Sequence, residues 1–495
     1  MLRFLFLPAL LLLAAPAVRA QSAAALPAAS APCNCAQSLG QMRQLIEANY
    51  AGYTDKVTPA TRPRLDSLTR VVQARADTAR AASCGLVLYE WLTFFQDGHL
   101  QIKNDQPLPQ LDPATIRARF VGAPRLPWTR ASFRAYLDDP ARPKQPLEGI
   151  WRDAGNNYSV GVVAAGQPAH YQAFVLRADS VWWVPGQVKF AFATPTAAGP
   201  ATGTYRMQNH EEQLRRVTLP AEGVIQFDDS PWYRVYPRPV AVPPAPARVA
   251  NHRFQMLDDT TALYRIASFD GQYRPLIDSL TKANAANLRR TRLLILDLRY
   301  NGGGSDGSYR SLTPYLYTQP VQTVGVALRS TPLNNAKYNG ALYPDMSVPE
   351  KLFIAQLRRR LDAHPGQLIK QRPNSDGVSV QRLSRRRQHP EVARVAILQN
   401  RGCGSTTEQF LLEARQSGKV TLFGENSAGV LDYANMQFAP LLCPGLRLGW
   451  ATSRTFRLDR NQGIDGVGIA PTVRLNPNAP DMVEQVRTWY RQPGR

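Results

Sequence analysis

Apolar residues recur every three or four positions in the first part of the chain, between Ala36 and Gln96. The stretches LGQMRQLIEANY and PRLDSLTRVVQARADTARAASCGLVLYEWLTFF show this spacing, which places the apolar side chains on one face of a helix. The pattern ends in the sequence QDGH at 96–99, where a glycine stops the helix. We therefore predict an N-terminal helical segment over 36–105, with His99 on the turn after its last helix.

Between about residues 147 and 240 the pattern changes to short alternating runs, separated by Gly, Asn, Asp and Pro. Examples are GIWRDAGNNYSVGVV and YQAFVLRADSVWWVPGQVKFAFAT. Alternation places successive side chains on opposite faces of a strand, so these runs predict an antiparallel β module over 147–240. Its aromatic residues are expected in the core of the module, with the lining of a ligand groove as the alternative.

Beyond Asn251, apolar strands alternate with amphipathic helices. The strands are TALYRIASF, RLLILDLRY, VARVAILQN and KVTLFG, and the helices include PLIDSLTKANAANL and TTEQFLLEARQ. This alternation is typical of an α/β sheet whose functional loops lie at the ends of the strands. We predict an α/β core over 251–480, interrupted by a polar and basic insertion at about 318–390.

The first residues have the pattern of a secretory signal peptide. One arginine precedes an apolar run, and the small residues Val18 and Ala20 come before Gln21. The apolar run is shorter than the about 20 residues that span a membrane. We predict a signal peptide over 1–20, a linker over 21–35, and export to the periplasm or the cell exterior without a transmembrane anchor.

The net charge of +22 at pH 7 comes largely from arginine, with clusters at 358–360 and 385–387. Such a charge favours nucleic-acid binding in an intracellular protein. An exported chain without a zinc-finger or RNA-binding signature is not expected to bind nucleic acid. Solvated arginine faces are the leading interpretation, and attraction to anionic envelope polymers is the alternative.

The chain has five cysteines, an odd number, at Cys33, Cys35, Cys84, Cys403 and Cys443. In an oxidising compartment cysteines tend to pair, and an odd number leaves at least one unpaired within the chain. The close pair Cys33 and Cys35 lacks the second pair or nearby histidine that a metal site requires. We predict disulfides, with a bridge from Cys403 to Cys443 favoured, and no metal or cofactor.

Two glycine-rich turns, each after a buried strand, carry the candidate chemistry. In VAILQNRGCGSTTEQFLLEA, Ser405 stands at the tip of the turn and a helix begins directly after it. The free N–H groups and the positive dipole end of that helix can stabilise an oxyanion. Taken alone, the segment fits even better a serine that only caps the helix, with Glu408 completing a capping box. The second turn, DLRYNGGGSDGS, can supply amides at Gly302 and Gly303, and it lacks the Gly-Lys-Ser/Thr ending of a phosphate-binding loop.

These segments together resemble the tail-specific (C-terminal processing) protease and tricorn-core family of serine peptidases. The match covers FFQDGH, LLILDLRYNGGG, GSTTE, LFGENSAG and DGVGIAP, in the order found in the family. The resemblance implies a clpP/crotonase-like α/β catalytic core with flanking helices, and it places Ser405 at the nucleophile position.

The family has two branches that differ in the general base. The tail-specific branch has a lysine directly after the glycine that matches GENSAG, where this chain has Val430, and Lys419 lies before the strand rather than after it. The tricorn-like branch takes a histidine from the N-terminal helical region, which matches His99. It also has a late glutamate, which Asp465 replaces here. A histidine can accept the serine proton at neutral pH, and a carboxylate can orient that histidine or a bound water.

We therefore predict an exported serine peptidase that needs no cofactor and acts on peptides or proteins. Ser405 attacks the peptide carbonyl, His99 is the general base, Asp465 is the acidic partner, and the amides of Gly303 and Thr406 stabilise the oxyanion. A catalytically weak scaffold that binds peptides or apolar ligands is one alternative. An esterase or amidase acting on small envelope molecules is another. The sequence leaves the oligomeric state open.

Overall fold

The computed structural model of the chain describes residues 33–104, 120–166, 169–178, 182–195, 201–208, 210, 212–227, 230–242, 252–340, 347–373, 377–475 and 481–492. The predicted signal peptide and the predicted linker up to residue 32 lie outside these residues. Within the described ranges no helix is both long and apolar enough to cross a membrane.

Helices fill the N-terminal segment, because its apolar residues share one face of each helix. They are α1 (Cys35–Asn49), α2 (Tyr53–Lys56), α3 (Arg62–Thr78) and α4 (Ala81–Leu92), followed by a 3-10 turn at Thr93–Phe95 and the short strand β1 (Gln101–Asn104). Gln96 takes a left-handed conformation, with φ of 48°, and ends the last turn. The chain then turns through QDGH before β1 begins.

An eight-stranded closed barrel occupies the interval for which the sequence predicts an antiparallel β module, and helix α5 (Arg130–Asp138) precedes it. The strands are β2 (Gly149–Asp153), β3 (Ser159–Ala164), β4 (His170–Arg177), β5 (Val188–Ala193), β6 (Ala201–Arg206), β7 (Glu212–Ala221), β8 (Val224–Phe227) and β9 (Ser230–Tyr236). Each strand pairs antiparallel with the next, and β2 pairs with β9 to close the sheet. Trp151, Phe190, Phe227 and Trp232 are buried in one cluster, so aromatic side chains form the core of this barrel.

The remaining elements follow the barrel in chain order. Up to residue 340 they are β10 (Arg253–Met256), β11 (Thr261–Arg265), α6 (Arg274–Ala283), α7 (Ala285–Arg290), β12 (Leu293–Asp297), α8 (Thr313–Leu316), β13 (Val321–Val324), β14 (Val326–Arg329), α9 (Pro332–Asn335) and α10 (Lys337–Gly340). After it come α11 (Val348–Asp362), β15 (Leu368–Lys370), β16 (Val378–Gln381), β17 (Arg394–Gln399), α12 (Thr406–Ala414), β18 (Val420–Gly424), β19 (Tyr433–Pro440), β20 (Leu446–Thr455), β21 (Val473–Arg474) and α13 (Met482–Arg491). Further 3-10 turns lie at Gly271–Tyr273, Asp306–Tyr309, Arg385–Arg387 and Leu458–Arg460.

The core sheet has six strands in the order β10-β11-β12-β17-β18-β21. The five strands β11, β12, β17, β18 and β21 are parallel to one another. Strand β10 lies at the edge of the sheet and is antiparallel to β11. Apolar side chains cover both faces, as two clusters of buried residues. Because β12 and β17 are parallel neighbours, the two glycine-rich turns that follow them leave the sheet at the same edge.

A second sheet brings the N-terminal segment to the core. Its order is β1-β20-β14-β15, with β19 also paired to β20. Gln101 in β1 pairs with Gly449 in β20, and helices α1, α3 and α4 pack against the β19–β20 hairpin in one apolar cluster. The predicted insertion contributes β14 and β15 to this sheet. The pairing of β1 with β20 fixes the place of the QDGH turn directly before β1.

The disulfides differ from the prediction. Cys33 is bonded to Cys443 and Cys35 to Cys84, whereas Cys403 is free and buried, so the predicted bridge from Cys403 to Cys443 is wrong. The Cys403 thiol instead lies 3.0 Å from the Leu298 carbonyl in the core. Sequence spacing could not give this pairing, because the bonded cysteines meet only when α1 packs against α4 and the β19–β20 hairpin.

Candidate active site

Ser405 occupies a sharp turn between β17 and α12. Its backbone has φ of 54° and ψ of −121°, a conformation that residues with a side chain rarely adopt. The Gly404 amide donates to the Asn301 carbonyl at 3.2 Å, which holds this turn against the neighbouring NGGG turn. A serine on such a strained strand-to-helix turn presents its hydroxyl at the edge of the sheet, as a nucleophile requires.

His99 lies directly against this serine. The His99 Nε2 atom is 3.2 Å from Ser405 Oγ, although the two residues are 306 positions apart in sequence. His99 is 8% exposed and Ser405 is half-buried. A neutral imidazole with its lone pair on Nε2 can accept the hydroxyl proton at this distance.

Glu408 forms its half of the predicted capping box, while the Ser405 hydroxyl faces His99. The Glu408 carboxylate accepts the Ser405 amide at 3.2 Å, and it also accepts the Ser427 hydroxyl and the Gly429 and Val430 amides at 2.5, 2.7 and 2.9 Å. Burial raises the pKa of this carboxyl despite these hydrogen bonds. Glu408 thus ties the 427–430 loop to the nucleophile turn.

Val430, at the position of the lysine in the tail-specific branch, packs between the segment that carries His99 and the turn that carries Ser405. A Cβ added at Gly98 would lie 2.6 Å from Val430 Cγ1, and one added at Gly404 would lie 2.9 Å from Val430 Cγ2. Lys419 lies elsewhere, because its ammonium donates to the His389 carbonyl at 3.1 Å. Burial lowers the pKa of Lys419 to about 8 without bringing it to the serine.

Asp465 is buried nearby but does not hydrogen-bond to His99. Its Oδ1 atom accepts the amides of Leu431 and Asp432 at 2.8 and 2.7 Å. Its Oδ2 atom and His99 Nδ1 are both buried without a hydrogen-bond partner in the described part of the chain. Burial, followed by the charge of Asp97, raises the pKa of Asp465 to about 8.

Asp97 is a residue of the site to which the sequence analysis gave no role. Its Oδ1 atom lies 3.9 Å from His99 Nδ1, and its Oδ2 atom accepts the Tyr50 hydroxyl at 2.7 Å. The signal available in the sequence was its place in QDGH, two residues before His99. Tyr50 carried no such signal, because it belongs to a helical stretch about 50 residues earlier in the chain.

The predicted oxyanion donors lie beside the serine. A Cβ at Gly303 would come within 2.8 Å of the Thr406 nitrogen and 2.9 Å of Ser405 Cβ, so only a glycine fits there. The Gly303 amide already donates to Asn301 Oδ1 at 3.1 Å. Among the described residues no acceptor contacts the amides of Gly302 or Thr406, which leaves both able to donate to a ligand.

Comparison with known proteins gives one match at the level of a protein family and several similar solved structures. The sequence profile of peptidase family S41 matches residues 260–475, whereas no curated protein sequence matches significantly. Similar solved structures include mature CPAF, at 12% identity over 89% of this chain and 92% of that one, with a TM-score of 0.45. The photosystem II D1 C-terminal processing protease has 13% identity over 91% and 96%, with a TM-score of 0.36. The tricorn protease has 11% identity over 92% and 36%, with a TM-score of 0.40.

The matched residues 260–475 include both glycine-rich turns, Ser405 and Asp465. This part of the chain is similar to peptidase family S41, and the similarity indicates a serine-type peptidase.

Proposed function

We propose that the chain is an exported serine peptidase in which Ser405 is the nucleophile and His99 the general base. The observation that carries this proposal is the 3.2 Å separation of His99 Nε2 and Ser405 Oγ. The strained backbone of Ser405 supports it, since such strain persists where the surrounding structure holds a functional residue in place.

The reaction follows from this geometry. Ser405 Oγ attacks the carbonyl carbon of the scissile bond while His99 Nε2 takes the hydroxyl proton. His99 then returns that proton to the leaving amine. A water molecule, deprotonated by the same imidazole, hydrolyses the acyl-enzyme and restores the serine.

The developing oxyanion is stabilised by backbone amides. Thr406 begins α12, so its amide lies at the positive end of the helix. We assign the second donor to the NGGG turn, to Gly303 or to its neighbour Gly302, because the Gly303 amide is shared with Asn301. Asp465 is the acidic partner, and its Oδ2 atom, which has no partner among the described residues, can form a hydrogen bond with His99 or with a water between them.

This assignment places the chain in the tricorn-like branch. The apolar side chain of Val430, where the other branch has its lysine, supports it. We also propose that residues 251–480 form one catalytic domain with a clpP/crotonase-like sheet. The segments 36–105 and 147–240 would then be the helical and β-barrel additions to it.

Export is supported by two observations. The signal-peptide pattern of residues 1–20 is the first, and the two disulfides are the second, because disulfides persist in oxidising compartments. A periplasmic or extracellular peptidase meets peptides and proteins as substrates. Its net charge of +22 would also attract anionic envelope polymers.

The test is serine labelling by a fluorophosphonate, combined with hydrolysis of a peptide mixture by the purified protein. We expect Ser405→Ala to lose both while it stays folded. Ser347→Ala is the matched control, because Ser347 also precedes a helix with a glutamate three residues later. Loss of that cap costs about 0.5–2 kcal/mol of stability and leaves labelling intact.

The outcomes separate the competing functions. Undiminished hydrolysis by Ser405→Ala would remove the nucleophile assignment. Absence of labelling and hydrolysis in the wild-type protein would favour a binding scaffold. Turnover of small esters or amides with no cleavage of peptides would favour the esterase or amidase.

A further inference from the structure

A buried tyrosine–carboxylate pair lies behind the base of the proposed site. The Tyr50 hydroxyl donates to Asp97 Oδ2 at 2.7 Å, and Asp97 Oδ1 accepts the backbone amide of His99 at 2.8 Å. The Asp97 side chain is fully buried, and Tyr50 is 1% exposed. Both oxygens of the Asp97 carboxylate therefore accept a hydrogen bond, one from the Tyr50 side chain at the end of α1 and one from the backbone of His99.

The two nitrogens of the His99 imidazole face different residues. Nε2 faces Ser405, and Nδ1 is buried, lies 3.9 Å from Asp97 Oδ1 and makes no hydrogen bond within the described residues. A hydrogen bond between these two atoms requires them to approach by about 1 Å. Hydrogen bonds of catalytic groups are often long before substrate binds and shorten in the complex.

We propose that Asp97 is a positioning residue for His99 and that Tyr50 holds Asp97 in place. The inference rests on the proposed role of His99 as general base. A carboxylate beside Nδ1 keeps the proton on that nitrogen and leaves the Nε2 lone pair for the serine proton. Its negative charge also stabilises the imidazolium that forms during the attack.

The other groups around Asp97 are consistent with this role. Burial raises the pKa of Asp97, while its interactions with His99, Tyr50 and Lys56 oppose that rise. Asp465 is the other carboxylate that interacts with it, and its pKa is raised to about 8. Two interacting buried carboxylates do not both ionise readily, so a proton held by Asp465 favours the charged form of Asp97.

The test uses three single variants of the full chain. Asp97→Asn keeps the size of the side chain and an oxygen for the His99 amide, but it removes the charge. Tyr50→Phe removes only the hydroxyl that holds Asp97. Asp55→Asn is the matched control, because Asp55 also accepts a tyrosine hydroxyl, that of Tyr433 at 2.9 Å, and its described contacts do not include His99.

For Asp97→Asn we expect kcat to fall by about 10²–10⁴-fold with KM little changed. The acidic limb of the kcat/KM profile should move to lower pH by about one unit, because a negative charge beside the base is lost. Tyr50→Phe should lower kcat by about 10-fold, since a hydrogen bond to a charged group is lost. Asp55→Asn should keep the wild-type kcat and pH profile.

Full kcat in Asp97→Asn would overturn the inference. So would a loss of kcat with an unmoved pH profile, because that result assigns Asp97 a structural role only. If Asp97→Asn does not fold, Tyr50→Phe decides: a reduced kcat at unchanged KM supports the inference, and wild-type kcat overturns it. The pH dependence of fluorophosphonate labelling gives the same comparison without substrate turnover.

Wild-type protein and Ser405→Ala separate this inference from the proposed function. If the wild type hydrolyses peptides and Ser405→Ala does not, an unaffected Asp97→Asn removes only the role of Asp97. If Ser405→Ala retains activity, the proposed function itself fails.

Discussion

Val430 packs against Gly404, the residue before the nucleophile, at the place where the tail-specific branch has its lysine. Its Cγ2 atom would lie 2.9 Å from a Cβ at Gly404, and its amide is fixed by the Glu408 carboxylate at 2.9 Å. An apolar side chain therefore fills this position. In the proposed mechanism the base comes from another segment, and His99 Nε2 lies 3.2 Å from Ser405 Oγ.

Val430→Lys should lower peptide hydrolysis at neutral pH by at least about 10-fold. An ammonium placed beside His99 opposes formation of the imidazolium and must itself lose water on burial. The control is Val430→Met, whose flexible side chain adds length without charge and so isolates the effect of the ammonium group. Steady-state kinetics checks both variants, and a Val430→Lys protein as active as wild type would contradict the histidine mechanism.

His99→Ala should lose about 10³-fold or more in kcat, since the general base of a serine hydrolase contributes on that scale. Lys419→Ala should lose little, because its ammonium contacts the His389 carbonyl instead of the serine. Asp465→Asn should fall between the two. The wild-type rate should rise with pH from about 6 to 7.5, as expected for a histidine base. Retained activity in His99→Ala together with loss in Lys419→Ala would require a different base.

Asp465 should make the stability of the protein depend on pH. Its folded pKa is raised to about 8, whereas an aspartate in the unfolded chain titrates near about 4. Between these values the folded state holds the extra proton, so the stability that Asp465 contributes is complete below about pH 4 and is lost as the pH rises through about 8.

Asp465→Asn should therefore lose less stability than wild type between about pH 5 and pH 8. Urea unfolding at the two pH values measures the difference. Asp259 is exposed, so Asp259→Asn should show the same change in the free energy of unfolding with pH as the wild type. If the free energy of unfolding of Asp465→Asn changes with pH as much as that of the wild type, the Asp465 carboxyl is ionised throughout this pH range.

Reduction of the two disulfides should lower both stability and activity. Cys33–Cys443 and Cys35–Cys84 fix the start of α1, and Tyr50 at the end of that helix holds Asp97. Loss of a native disulfide typically costs about 2–5 kcal/mol. Thermal unfolding with and without a reductant measures the effect, and peptide mapping under non-reducing conditions checks the pairing. Cys403→Ser should leave the response to the reductant unchanged, and free thiols at Cys33 or Cys84 in the native protein would rule the pairing out.

The local elements of the fold could be predicted from the sequence because their signals are local. The spacing of apolar residues gave the helices before QDGH, the alternation gave the strands of the barrel region, and the buried strands before the two glycine-rich turns gave the parallel core. Ser405 was predicted as the nucleophile in the same way, since a glycine-rich strand-to-helix turn is recognised within a few residues. The order of short motifs suggested His99 as the base.

Tertiary structure decided which of these segments meet. The pairing of β1 with β20 brings His99 to Ser405. The packing of α1 against α4 and the β19–β20 hairpin decides both disulfides and places Tyr50 behind Asp97. Asp465 was predicted as the partner of the base, yet its hydrogen bonds go to Leu431 and Asp432. Contacts between residues hundreds of positions apart leave no periodic signal in the chain, because they depend on how whole elements pack and not on their local composition.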